Sequence, residues 1–156
     1  MKLKGLVDYD ICNYKEPSMF LIFPTCSFKC DKECGCQVCQ NSALAHEPII
    51  EIDVYTVIDR YLNNPLTHAI VCGGLEPLDS KDDLYVFLDR LRRRTNDTVV
   101  IYTGYTEEEI AKDIGLLSSF GNIIIKFGRF IPNSSHKFDN ILGVELASKN
   151  QYAKII

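Results

Sequence analysis

The sequence predicts an α/β protein built on a mostly parallel sheet, and three observations carry that expectation. Short apolar runs alternate with segments of helical periodicity from residue 19 onward. That is the pattern of βα units, whose successive strands run parallel because a crossover helix separates them. The least ordinary stretches each fall directly after such a run, on the strand-end edge where parallel α/β proteins build their sites. The length of 156 residues suits one buried core, and 1–156 reads as a single domain.

Met19–Phe23 is an apolar run between Pro17 and Pro24 and reads as the first strand. A cysteine-rich loop, TCSFKCDKECGCQVCQNS over 25–42, follows it directly. From Asp53 to Asn64 the apolar residues Val54, Val57, Ile58, Tyr61 and Leu62 share one helical face, with Asp53 as N-cap. His68–Cys72 is the second strand and ends at GGLEP. Ser80 is placed to cap a helix reaching Arg94, with Leu84, Phe87, Leu88 and Leu91 inward. Its closing basic cluster, Arg90 to Arg94, complements the helix C-terminus. Thr98–Tyr102 is the third strand, followed by TGYT, and Thr106 with Glu109 forms a capping box for a helix to about Leu117. Asn122–Lys126 is the fourth strand. The stretch 127–156 has no clear period and is expected to wrap the sheet. The cysteine loop, the GGLEP turn and the TGYT turn should therefore meet on one rim.

A formal charge of −4 and a pI near 5.4 argue against a general nucleic-acid binder or an anionic-membrane binder. No apolar stretch resembles a signal peptide or approaches the roughly 20 residues of a membrane span, so a cytoplasmic protein is expected. There thiols stay reduced, and clustered cysteines serve metals or redox chemistry more often than disulfides. Five of the seven cysteines, Cys26, Cys30, Cys34, Cys36 and Cys39, fall within fourteen positions. Thiolate-rich sites select zinc or an iron–sulfur cluster. Structural zinc usually draws on two separated ligand pairs, and the remaining cysteines, Cys12 and Cys72, supply no such second pair. Four ligating thiolates would close an iron–sulfur cluster for electron transfer; three would leave one iron open. The histidines His46, His68 and His136 fit no paired-ligand spacing and read as surface or packing residues. Tyr102 and Tyr105 read as packing residues near the rim.

The ordered set of motifs resembles the radical S-adenosylmethionine superfamily, and within it the activating proteins of anaerobic ribonucleotide reductase. Cys26-x3-Cys30 is similar to the opening of that superfamily's three-cysteine motif, and Cys39-Gln-Asn41 to its close. GGLEP, with an inserted Leu75, resembles the glycine-rich motif; YTGYTEEEI (102–110), GRFIP (128–132) and ASKNQ (147–151) resemble later activase segments. One departure stands out. Glu33 occupies the usual place of the third cysteine, and the loop runs on to give Cys-x3-Cys-x8-Cys. Cys39 is preferred as third ligand for the Gln40-Asn41 that follows it, with Cys36 and then Cys34 as alternatives.

The resemblance implies a partial, open βα barrel with mostly parallel strands, too short for a full barrel of about 250 residues. It implies a [4Fe–4S] cluster on Cys26, Cys30 and Cys39, with S-adenosylmethionine on the open iron. Electron transfer to the sulfonium would yield methionine and a 5′-deoxyadenosyl radical. Gly73 and Gly74 would let backbone approach S-adenosylmethionine, Glu76 would accept from its ammonium, and Lys126 would pair with its carboxylate. Asn150 and Gln151 would touch ribose or adenine, with Ser148 as a local turn cap. The implied partners are the large subunit of anaerobic ribonucleotide reductase, which receives a glycyl radical, and a one-electron donor such as flavodoxin or ferredoxin. Three readings compete: an enzyme of the same superfamily acting on another protein or peptide, a non-catalytic zinc or iron–sulfur module, and a ferredoxin-like carrier.

Overall fold

A computed structural model describes residues 1–156. In chain order the first half contains β1 (Lys2–Leu3), β2 (Gly5–Asp10), β3 (Ser18–Phe23), α1 (Lys29–Cys34), β4 (Ile50–Glu51) and α2 (Val54–Leu62). The second half contains β5 (Ala69–Gly74), α3 (Lys81–Arg92), β6 (Thr98–Tyr102), α4 (Ala111–Ser119) and β7 (Ile123–Phe127). It closes with β8 (Lys137–Asp139), β9 (Val144–Leu146) and β10 (Tyr152–Ile155). The main sheet has six strands in the order β10-β7-β6-β5-β3-β2. Its four inner strands are parallel, and an antiparallel strand borders each side. No pairing joins the edges β2 and β10, so the sheet does not close on itself. The predicted α/β class with a mostly parallel sheet is therefore present.

The inner strands are apolar on both faces because both are covered, as a parallel sheet requires. On one face Met19, Leu21, Phe23, Ile70, Ile101 and Ile125 pack with the helices in a cluster of 21 buried residues. On the other, Val71, Val100 and Ile124 pack under Tyr14, Leu142 and Leu146. Removing each large apolar side chain from water contributes about 1.5–3 kcal/mol, so these strands need no polar help. α2 starts where expected: the Asp53 carboxylate accepts from the Tyr55 and Thr56 amides at 2.9 and 3.2 Å. Val57, Ile58 and Tyr61 face the core, whereas Leu62, expected inward, is exposed.

Local chemistry departs from expectation at three points. Ser80 makes no cap; a 3-10 turn over Pro77–Ser80 precedes α3, and the Glu76 side chain caps that turn through the Leu78 amide. The Thr106–Glu109 capping box forms, but it closes a turn, and α4 begins only at Ala111. Arg92 does more than balance a helix end: it donates to the carbonyls of Asp97, Phe120 and Gly121, each at 2.9 Å, joining α3 to the ends of β6 and β7. The C-terminal stretch does not merely wrap the sheet. It forms the β8–β9 hairpin and then adds β10 as an edge strand. No helix is long and apolar enough to cross a membrane.

Candidate metal centre

Each of the three unusual loops leaves the C-terminal end of an inner strand, and two acidic side chains staple them together. Glu76, after β5, accepts from the Gly104 amide after β6 at 2.8 Å, while its own amide donates to Thr25 O in the cysteine loop at 2.8 Å. Asp79 accepts from the Ser27 amide and the Tyr105 hydroxyl, both at 2.5 Å. A hydroxyl pair, Thr25 Oγ1 and Ser80 Oγ at 2.7 Å, closes the same seam. The rim expected from motif positions is thus held by hydrogen bonds among those motifs.

Within the cysteine loop, Phe28 turns through φ 51° to start α1, and Gly35 at φ 68° ends it. Gly35 has no Cβ to resist that conformation. Asp31 on α1 then accepts from the Val38 and Cys39 amides at 2.9 and 2.8 Å, folding the chain back. Asn41 Nδ2 donates to Gly74 O at 2.6 Å and fastens the return to the sheet. Cys26, Cys30 and Cys39 consequently line one cavity of about 410 Å³, together with Glu76, Lys126 and Gln151. Cys34 and Cys36 are exposed and lie outside it.

The three thiols share the cavity without standing at metal-coordinating separations from one another. Rotation about χ1 is the adjustment open to them. Their surroundings fit thiolate ligation of iron or another soft metal. The Phe28 amide donates to Cys26 Sγ at 3.2 Å, and the nearby Asn41 amide partly offsets the effect of burial on the Cys39 thiol. Such N–H donors stabilise sulfur-borne charge and tune cluster potentials. Burial pushes the Cys26 thiol up to about 12 and also raises Cys39. Both are therefore protonated at neutral pH until a cation compensates, and metal binding would release protons.

Two buried charged groups complete the wall. Burial pulls Lys126 down to about 8, opposed by Glu76 and Cys30. It is not a solvated strand-end lysine: 7% exposed, it donates to Gly128 O at 3.1 Å from inside the cavity. Burial raises Glu76 to about 7, against hydrogen bonds from the Gly104 amide, the Thr103 side chain and the Leu78 amide. Both Glu76 oxygens thus serve the fold while facing the cavity.

The remaining predicted residues divide. Gly74 lines the cavity, but Gly73 does not; a Cβ at Gly73 would sit 2.9 Å from the Phe20 ring, so its bareness makes room for that ring, which lines the cavity. Asn150 is exposed and lies outside the lining; its Nδ2 donates to Arg129 O at 3.0 Å. Gln151 lines the cavity, with Nε2 donating to Gly128 O at 3.2 Å and Oε1 accepting from the Ser148 amide at 3.1 Å. Ser148 does more than cap a turn: its hydroxyl accepts from the Ile131 amide, so the 128–132 and 147–151 segments are one knot. Cys12, on the loop after β2, also lines the cavity, and its place there has no local sequence signal.

Arg129 is the chief residue that sequence reasoning passed over. It bonds both oxygens of Glu109 at 2.7 and 2.6 Å, Glu33 at 2.8 Å, and Gly104 O, tying α1 to the loop after β6. The Arg129 guanidinium foremost holds the Glu109 carboxyl down to about 2. Its folded value lies below the ordinary 4.5, so the stabilisation is complete above that pH and is lost as pH falls toward 2. Glu109 is 31% exposed, and screening holds the effect of Glu109→Gln to about 1–2 kcal/mol near pH 7. Thermal melts of the cluster-free protein should show that deficit closing as pH falls from about 5 to about 2.

A family model described as "4Fe-4S single cluster domain" matches residues 18–151, and the chain belongs to that family. No curated protein and no solved structure matches the chain significantly.

Proposed function

We propose that this member of the 4Fe–4S single-cluster family is a radical S-adenosylmethionine enzyme. In this reading it generates a glycyl radical on anaerobic ribonucleotide reductase, in the cytoplasm. The observation that carries the reading is one cavity lined by three thiols of the cysteine loop and a buried lysine, at the C-terminal edge of an open parallel sheet. The open sheet is then a partial βα barrel. A cluster would be held by Cys26, Cys30 and Cys39. The chemistry such a group supplies when bound is one-electron reduction of the sulfonium of S-adenosylmethionine, giving methionine and a 5′-deoxyadenosyl radical that takes a hydrogen atom from a glycine.

The chain's own residues bind and orient. Lys126 offers its remaining N–H donors to the carboxylate of S-adenosylmethionine, in a wall where burial strengthens the pairing. Glu76, already fixed by two backbone amides, presents unused lone pairs to the ammonium. In this reading Gln151, which lines the cavity, would meet the nucleoside, and Asn150, which does not line it, would not. About 410 Å³ is in the range of small-molecule sites. The electron would come from a small donor such as flavodoxin or ferredoxin.

One observation favours a second reading. Cys12 lines the same cavity, and a fourth thiolate would close the cluster for electron transfer alone. The test is anaerobic reconstitution, reduction and addition of S-adenosylmethionine, with 5′-deoxyadenosine, iron, sulfide and zinc measured. Four irons with 5′-deoxyadenosine formed, and Cys12→Ser still active, support the radical enzyme. A four-iron cluster that never cleaves S-adenosylmethionine supports the carrier, and zinc alone removes both.

A further inference from the structure

Five thiols crowd a short loop, yet only three face the cavity. Something selects among them. We propose that Asp31 is the positioning residue that makes Cys39, and not Cys34 or Cys36, the third thiolate of the centre; this rests on the iron–sulfur reading of the cavity.

Cys30 sits in the first turn of α1, and its Sγ would lie 3.8 Å from a Cβ on Gly104, so it faces the rim. Cys34 is four residues on, at the far end of the same short helix. Gly35 in the left-handed region ends the helix there, and both Cys34 and Cys36 are left exposed. α1 buries no residue, and in the stretch after it Cys36 and Gln37 are exposed and Val38 and Cys39 only partly buried, so no core side chain anchors residues 36 to 39. What turns them is one carboxylate oxygen: Asp31 Oδ1 receives the amides of Val38 and Cys39 together. An ionised carboxylate forms about twice as strong a hydrogen bond as a neutral acceptor. The other bonds to this stretch come from residues that follow it: the Ser42 amide donates to Cys39 O at 3.2 Å, and Asn41 Nδ2 donates to Gly74 O. Between Gly35 and Asn41 the side chain of Asp31 is therefore the link that brings Cys39 back beside Cys30.

The test uses full-length protein, reconstituted anaerobically with iron and sulfide, then alkylated with iodoacetamide and mapped by mass spectrometry. In the wild type, Cys26, Cys30 and Cys39 should be protected while Cys34 and Cys36 are modified. Asp31→Ala should lose protection at Cys39, by transfer to Cys36 or Cys34 or by loss of bound iron. In the same variant without metal, amide exchange at Val38 and Cys39 should quicken by roughly tenfold or more. Asp31→Asn, which keeps an acceptor oxygen, should restore most of the protection. The main core lies outside α1, so the variants should melt cooperatively. Unchanged protection and iron content in Asp31→Ala overturn the proposal alone, as does failure of Asp31→Asn to rescue. A wild type that protects no cysteine overturns the iron–sulfur reading of the cavity, and the proposal with it.

Discussion

Cys39→Ala is expected to abolish cleavage of S-adenosylmethionine and to lower bound iron well below four per chain, whereas Cys34→Ala should leave most of both. The difference follows from where the loop puts the two sulfurs. Cys39 lines the cavity with Cys26 and Cys30, its amide held by Asp31; Cys34 is exposed at the C-terminal end of α1 and lies outside the cavity. Losing one of three thiolates leaves too few ligands to hold the cluster while keeping one iron open. Iron and sulfide assays with quantitation of 5′-deoxyadenosine check this. If both variants cleave normally, the ligand assignment is wrong. If Cys34→Ala alone loses activity, the loop rearranges around the metal and the third ligand is Cys34.

Gly74→Ala should have the largest effect on stability among substitutions at the rim. Gly74 has φ 82°, which costs an L-residue about 1–2 kcal/mol. A Cβ there would also stand 2.5 Å from Ile22 Cγ2 and 3.1 Å from Ile22 Cα, in strand-paired backbone that cannot withdraw. Overpacking of that kind adds about 1–3 kcal/mol. A total near 3 kcal/mol corresponds to a fall in Tm of roughly 6–12 °C. Gly115→Ala supplies the contrast. Its Cβ would meet nothing within 4 Å, on a helix, and should stabilise by about 0.5–1 kcal/mol. Because Asn41 binds Gly74 O, the Gly74 variant should also lose iron, whereas one that only lowers Tm would show that the sheet and the cysteine loop are mechanically independent.

The cysteine loop shows how sequence and structure share the determination. The thiol spacing, the strand before the loop and the glycines of GGLEP were legible because each depends on a few adjacent residues. The sequence also placed Gln151 among the candidates, yet ranked Asn150 beside it without a way to choose. In the folded chain Asn150 serves Arg129 O from outside the cavity while Gln151 faces inward. Arg129 itself gave no warning, since its partners Glu33, Gly104 and Glu109 lie 96, 25 and 20 residues away.

By itself the sequence determined the alternation of strand and helix, the parallel inner strands and the convergence of three loops on one edge. These follow from apolar periodicity, which is local and repeated. Tertiary structure alone decided the edges and the site's final membership. β2 and β10 are less buried than the inner strands, and pairing with β3 and β7 is what makes them strands. That Cys39 joins Cys26 and Cys30 at the cavity rests on Asp31, which folds its own loop back over seven and eight residues, and on Asn41, which binds Gly74 O 33 residues away. Hydrogen bonds across the fold carry no period along the chain, so only the folded chain contains them.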